Sequence, residues 1–132
     1  MENTVEILEL EQVKLLVDSF YSKIRKDDLL KDIFDEVIQD RWPEHLEKMY
    51  CFWQTVLLGE RTYSGKPFVP HMHLPVDMQH FDRWLDLFDQ TLEEHFHGQN
   101  VEAARWQANR MAHMFHLKIN YFREHQGQRP LA

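Results

Sequence analysis

Histidine and the large aromatics are the side chains through which this sequence could do chemistry. Nine histidines stand among 132 residues, beside nine Phe, four Trp and four Tyr. Imidazole is the commonest metal ligand and titrates near neutrality, so the count raises the question of a metal. A carboxylate-bridged di-metal bundle needs Glu-x-x-His on two helices, which puts both ligands on one face a turn apart. Only Glu94 and His97 match that spacing. No histidine is followed four residues later by Glu, and His113 and His116 have helical ligand spacing without a partner motif. The zinc-protease pattern, the P-loop, the dinucleotide glycine pattern and the nucleophile elbow are all missing. Cys51 points away from the His45 stripe on a helical wheel and reads as a packing or surface thiol. What survives is narrower: His71 in an irregular stretch, His45 on an apolar helix stripe, and an excess of aromatics. A haem pocket asks for that set, with one imidazole for iron, apolar walls for the porphyrin and a few polar groups opposite. His73, two residues on, competes with His71.

These residues need elements to hold them. Val13, Leu16, Val17, Phe20, Tyr21 and Ile24 recur at helical spacing, and Asp27-Asp28 interrupts them. Leu29 to Ile38 suggests a short second or continued helix. Asp40 to Pro43 reads as a helix start, since proline is tolerated in a first turn. In the helix that follows, His45, Met49, Phe52 and Val56 share one stripe, and Gly59 ends it. Residues 59–77 hold three prolines and two glycines without periodicity and read as a long loop, functional or mobile, carrying His71 and His73. Two long helices close the chain around a break at His97 to Asn100. Small residues at 104, 108 and 112 in the second allow close packing. The expected architecture is all-α, a single domain over 1–132 of five or six helices, with 1–10 and 126–132 loosely ordered.

Charge and composition exclude other classes. Fifteen Lys and Arg against 22 Asp and Glu leave a net charge of -7, which disfavours binding to nucleic acid. No apolar run approaches a membrane span. The start lacks the basic and apolar regions of a signal peptide, and one cysteine cannot form an internal disulfide, so a cytoplasmic location is expected.

Matched stretches add a further observation. Ser19 to Asp27, Trp42-Pro43-Glu44-His45, Phe52 to Glu60, Tyr63 to Pro67, His71 and Phe81 to Leu85 stand in an order and spacing that resembles a truncated haemoglobin of the third group, from about Val13 to Phe122. The resemblance implies a two-over-two helical sandwich around haem b. It implies His71 as the proximal ligand of a five-coordinate iron, and a distal side built from Tyr21, His45 and Trp84. Phe34, Met49, Phe52 and Trp53 are the implied apolar walls, and Lys48 is the implied partner of a haem propionate, with Arg61 a weaker candidate. For His45, donation to the ligand, a swinging gate and a solvent-facing helix start all stay open. Pro70 and His73 depart from the family pattern, in which a basic residue and an acidic or variable one are frequent.

The implied function is reversible binding of dioxygen, and of nitric oxide or carbon monoxide. The alternative on the same frame is an enzyme, a nitric oxide dioxygenase or peroxidase fed by a separate reductase. A non-haem di-iron helical bundle is the remote alternative. No nucleic-acid or membrane partner is expected, and neither the oligomeric state nor a catalytic residue can be read from the chain.

Overall fold

A computed structural model describes residues 3–65, 71 and 74–125. Five α-helices make up the described architecture: α1 (Leu10–Ile24), α2 (Lys31–Ile38), α3 (Trp42–Leu58), α4 (Met78–His95) and α5 (Gln99–Glu124). α1 packs on α3 and α4 packs on α5; α1 also crosses α4, and α3 touches α5. The arrangement is two helix pairs laid one over the other.

Each helix forms where its apolar period predicts. α1 buries Val13, Leu16, Val17, Phe20, Tyr21 and Ile24, the six residues of the periodic face. It starts where the Gln12 side chain accepts from the Glu9 N–H at 2.9 Å. Asp27 ends it by offering one carboxylate oxygen to the N–H groups of Leu29 and Leu30, 3.1 Å from each. That local bond competes with a continuing helix, so α2 is a separate short element. α3 carries Pro43 in its first turn and stops at Gly59, whose φ of 74° lies in the left-handed region. α4 and α5 meet where Ala104 and Ala108 are fully buried, and the absence of bulk there lets Leu87, Phe88, Thr91 and Leu92 of α4 approach.

Three expectations are corrected. Val56, placed on the His45 stripe, is 37 % exposed, and the buried face of α3 runs through Phe52, Trp53 and Leu57 instead. An apolar residue at the margin of a stripe is buried only if a neighbour reaches it. The amino-terminal segment, expected to be loose, is tied down: Val5 pairs in parallel with Phe96, Val5 N–H donates to His95 O and His97 N–H to Val5 O, both at 3.0 Å. Ile7 is fully buried, and the Asn100 amide donates to its carbonyl at 2.7 Å. The break between α4 and α5 is tighter than the sequence suggests, since Gln99 and Asn100 already belong to α5. The carboxyl-terminal expectation, 126–132, lies outside the described residues.

Candidate functional site

The implied distal residues come from α1, α3 and α4. Tyr21, in the last turn of α1, is buried, and its ring meets His45 edge-on at 5.1 Å, Trp42 at 5.8 Å and Phe34 at 6.1 Å. Trp42 meets His45 as well, at 5.8 Å, so the three rings close on one another. Trp42 is itself held on two sides. Its indole N–H reaches Asp35 of α2 at 3.3 Å, and the Arg25 guanidinium lies 4.4 Å over its ring.

His45 carries the clearest electrostatic signature. Its Nε2 is buried and makes no hydrogen bond among the described residues. Burial is the largest cause of its lowered pKa, with the positive fields of His71 and Lys48 adding to it, and the ring sits at about 4 against the usual 6.5. His45 is therefore neutral at pH 7. The same coupling puts His71 within electrostatic reach of His45. Burial alone raises the Tyr21 hydroxyl well above the ordinary phenol range, so its proton stays in place at neutral pH. A buried polar atom without a partner costs about 1–3 kcal/mol, a cost that a bound acceptor or donor would remove.

His71 is half-buried, its ring tilted against Phe115 of α5 at 4.8 Å. Its competitor His73 lies outside the described residues, as does Pro70. Trp84 is half-buried one ring removed from the distal group: it meets Phe20 edge-on at 5.2 Å, and Phe20 meets Tyr21 at 5.0 Å. Trp84 also stacks on Phe88 at 5.6 Å. Phe52 and Trp53 are buried, Phe34 and Met49 half-buried against the core, and Trp53 stacks on Phe88 at 5.1 Å. Lys48 is exposed, with its charge felt at His45, and Arg61 is exposed too.

Three neighbours of this group carry no sequence signal of their own strong enough to single them out: Trp42, Tyr63, which meets Phe52 edge-on at 5.3 Å, and Phe115. Trp42 and Tyr63 do lie in the matched stretches Trp42-Pro43-Glu44-His45 and Tyr63 to Pro67, which is the cue that could have found them. The histidine pairs set aside on spacing have ordinary partners. Glu94 pairs with Lys23 at 2.8 Å, His97 with Thr4 at 2.8 Å, and His116 with Asn120 at 3.2 Å. Cys51 is half-buried and free.

The bacterial-like globin family matches residues 6–117, most of the chain. The chain belongs to the bacterial-like globins. This globin is 38 % identical over 91 residues to the group 3 truncated haemoglobin of Campylobacter jejuni, covering 66 % of this chain and 72 % of that protein. It superposes on the crystal structure of the group III truncated haemoglobin from Campylobacter jejuni with a TM-score of 0.80 at 32 % identity, over 88 % of this chain and 94 % of that one. The expected all-α truncated-globin fold is thus shown, together with the resemblance to the third group. Haem binding, and a small gaseous ligand, is the coarse function that globin membership implies. No helix among the described residues of this globin is long and apolar enough to cross a membrane.

The residues present fit a haem. A half-buried imidazole at 71 and an imidazole at 45 with an unpartnered buried nitrogen are electrostatically coupled, and aromatic side chains border both.

Proposed function

We propose that this globin holds haem b through His71 as the proximal ligand of a five-coordinate iron and reversibly binds dioxygen, with nitric oxide and carbon monoxide as further ligands. When bound, the haem supplies an iron atom that accepts a diatomic gas. The chain's own residues do the rest. Phe34, Met49, Phe52 and Trp53 keep water away from the porphyrin faces, and Lys48 is placed to meet a propionate at the rim. Tyr21 and Trp84 donate toward a ligand that gains partial negative charge on binding. A hydrogen bond to such a charged group contributes about 1.5–3 kcal/mol, roughly ten- to a hundredfold in affinity. The observation that carries this reading is the buried, unpartnered Nε2 of His45, held neutral beside Tyr21 and coupled to His71. An absorption spectrum of the haem-loaded protein, reduced with dithionite and exposed to carbon monoxide, tests it. The reading expects a Soret shift in the wild type and loss of most haem in His71→Ala; no shift with carbon monoxide ends it.

A second reading is favoured by the number of polar groups gathered on one side. Several donors slow ligand release, which suits chemistry better than transport. On this reading the globin dioxygenates nitric oxide, or turns over peroxide, with electrons from a separate reductase. Stopped-flow mixing of the oxygen-loaded protein with nitric oxide decides it, and nitrate no higher than the haem-free background counts against the enzyme. The unpaired Cys51 supports a cytoplasmic, reducing compartment. The non-haem di-iron bundle is disfavoured, because no group of three or more His, Cys, Asp or Glu side chains gathers among the described residues.

A further inference from the structure

Residues 74–77 are held by one side chain from the far end of α5. Arg123 donates from one guanidinium nitrogen to the carbonyls of Leu74 and Val76, at 2.9 and 2.7 Å, and from the other to the Asp77 carboxylate at 3.2 Å. Leu74 passes the constraint back, because its N–H donates to the His71 carbonyl at 3.2 Å. Two turns earlier on the same helix, Phe115 lies against the His71 ring at 4.8 Å. α5 therefore touches the His71 region at two points, ring and backbone, separated by about 12 Å along its axis. A cation near a helix carboxyl terminus is also favoured by the unpaired carbonyls there.

We propose that Arg123 is a positioning residue for the iron ligand: by clamping 74–77 it fixes the direction from which the His71 imidazole meets the haem. A guanidinium serves the two carbonyls from one nitrogen and the carboxylate from the other, with both nitrogens held in one plane, a geometry that a lysine ammonium does not fix. The Leu74 carbonyl also accepts from the Val76 N–H at 2.9 Å, so among the described residues it is the Val76 carbonyl, at 2.7 Å, that leans most on Arg123. The proposal rests on the reading that His71 ligates iron.

The test uses the haem-loaded, ferrous protein and two readouts: the iron–histidine stretching band in resonance Raman spectra and the rate of haem transfer to an apoglobin acceptor. Arg123→Met is expected to shift or broaden the band and to speed haem loss by roughly tenfold or more, the range seen when groups that orient a metal ligand are removed. Arg123→Lys keeps the charge but not the fork, and is expected to shift the band in the same direction by less. Asp77→Asn keeps both carbonyl contacts and a capping side chain for α4, and is expected to leave the band in place. An unmoved band in Arg123→Met overturns the proposal. A band moved as far by Asp77→Asn overturns it too, assigning the effect to charge pairing. A histidine band that persists in His71→Ala overturns the ligation reading instead, and so separates the two failures.

Discussion

At the residue scale, the proposed distal chemistry turns on protons that stay where burial puts them. Tyr21 remains protonated and His45 remains neutral at pH 7, so the pair offers a fixed donor beside a ring that can donate or accept. Tyr21→Phe removes the hydroxyl and leaves the ring contacts with Trp42 and Phe34. The expected outcome is a dioxygen dissociation rate about ten- to a hundredfold faster, read by stopped-flow displacement. Rates unchanged in both Tyr21→Phe and Trp84→Phe would remove distal donation from the account. The pH dependence of stability belongs here as well. His45 titrates near 4 in the folded chain and near 6.5 unfolded. Between those values the unfolded chain binds a proton that the folded chain refuses. The contribution of neutral His45 is therefore complete above pH 6.5 and is drawn down as pH falls toward 4. Urea unfolding of the haem-free chain at pH 7 and pH 5 is expected to show a smaller fall for His45→Gln than for wild type; equal falls would clear His45 of the effect.

At the scale of elements, what the sequence reveals depends on how each element is stabilised. α1 is legible residue by residue because all of its buried side chains fall on one periodic face. Gly59 is legible because only a residue without a Cβ adopts its φ at low cost. The margin of α3 is not legible, because whether Val56 is covered depends on neighbours brought by tertiary packing. The docked amino-terminal segment is invisible for the same reason: its bonds run to residues some ninety positions away. In the site, Tyr21, Trp42, His45 and His71 stand out once matched to a family pattern, whereas Phe115 and Arg123 reach the His71 region through contacts that leave no spacing signature. The α4–α5 seam is the element-level feature that combines both kinds of information. Its alanines were visible as small residues, and their complete burial shows there is no room to grow. Ala108→Leu is expected to cost about 1–3 kcal/mol by overpacking, measured as a lowered urea midpoint at unchanged slope. A neutral result would mean that the seam relaxes without strain.

At the scale of the whole molecule, the aromatic excess divides into two populations with different partners. Phe20, Trp53, Trp84 and Phe88 form a continuous cluster of stacked and edge-on rings between the helix pairs, and they are satisfied by one another. Tyr21, Trp42, Phe34 and His45 form the second group, where a buried nitrogen is left without a partner. Phe20 and Phe88 of the first group are core with or without a cofactor, whereas Trp53 and Trp84, on the proposed function, also serve the haem. The second is completed, on the proposed function, by the haem. A ligand that binds the folded chain alone stabilises it by mass action, about 2.7 kcal/mol at a hundred times its Kd. For a chain of 132 residues that gain corresponds to a rise in melting temperature of roughly 10 °C. Thermal melts of the chain with and without saturating haem are expected to differ by about that much, and His71→Ala is expected to keep the haem-free melting temperature while losing most of the rise. A variant that gains as much as wild type would show that the porphyrin is held by the aromatic walls rather than through the iron. A wild type with no gain would show that the second aromatic group is complete without a cofactor.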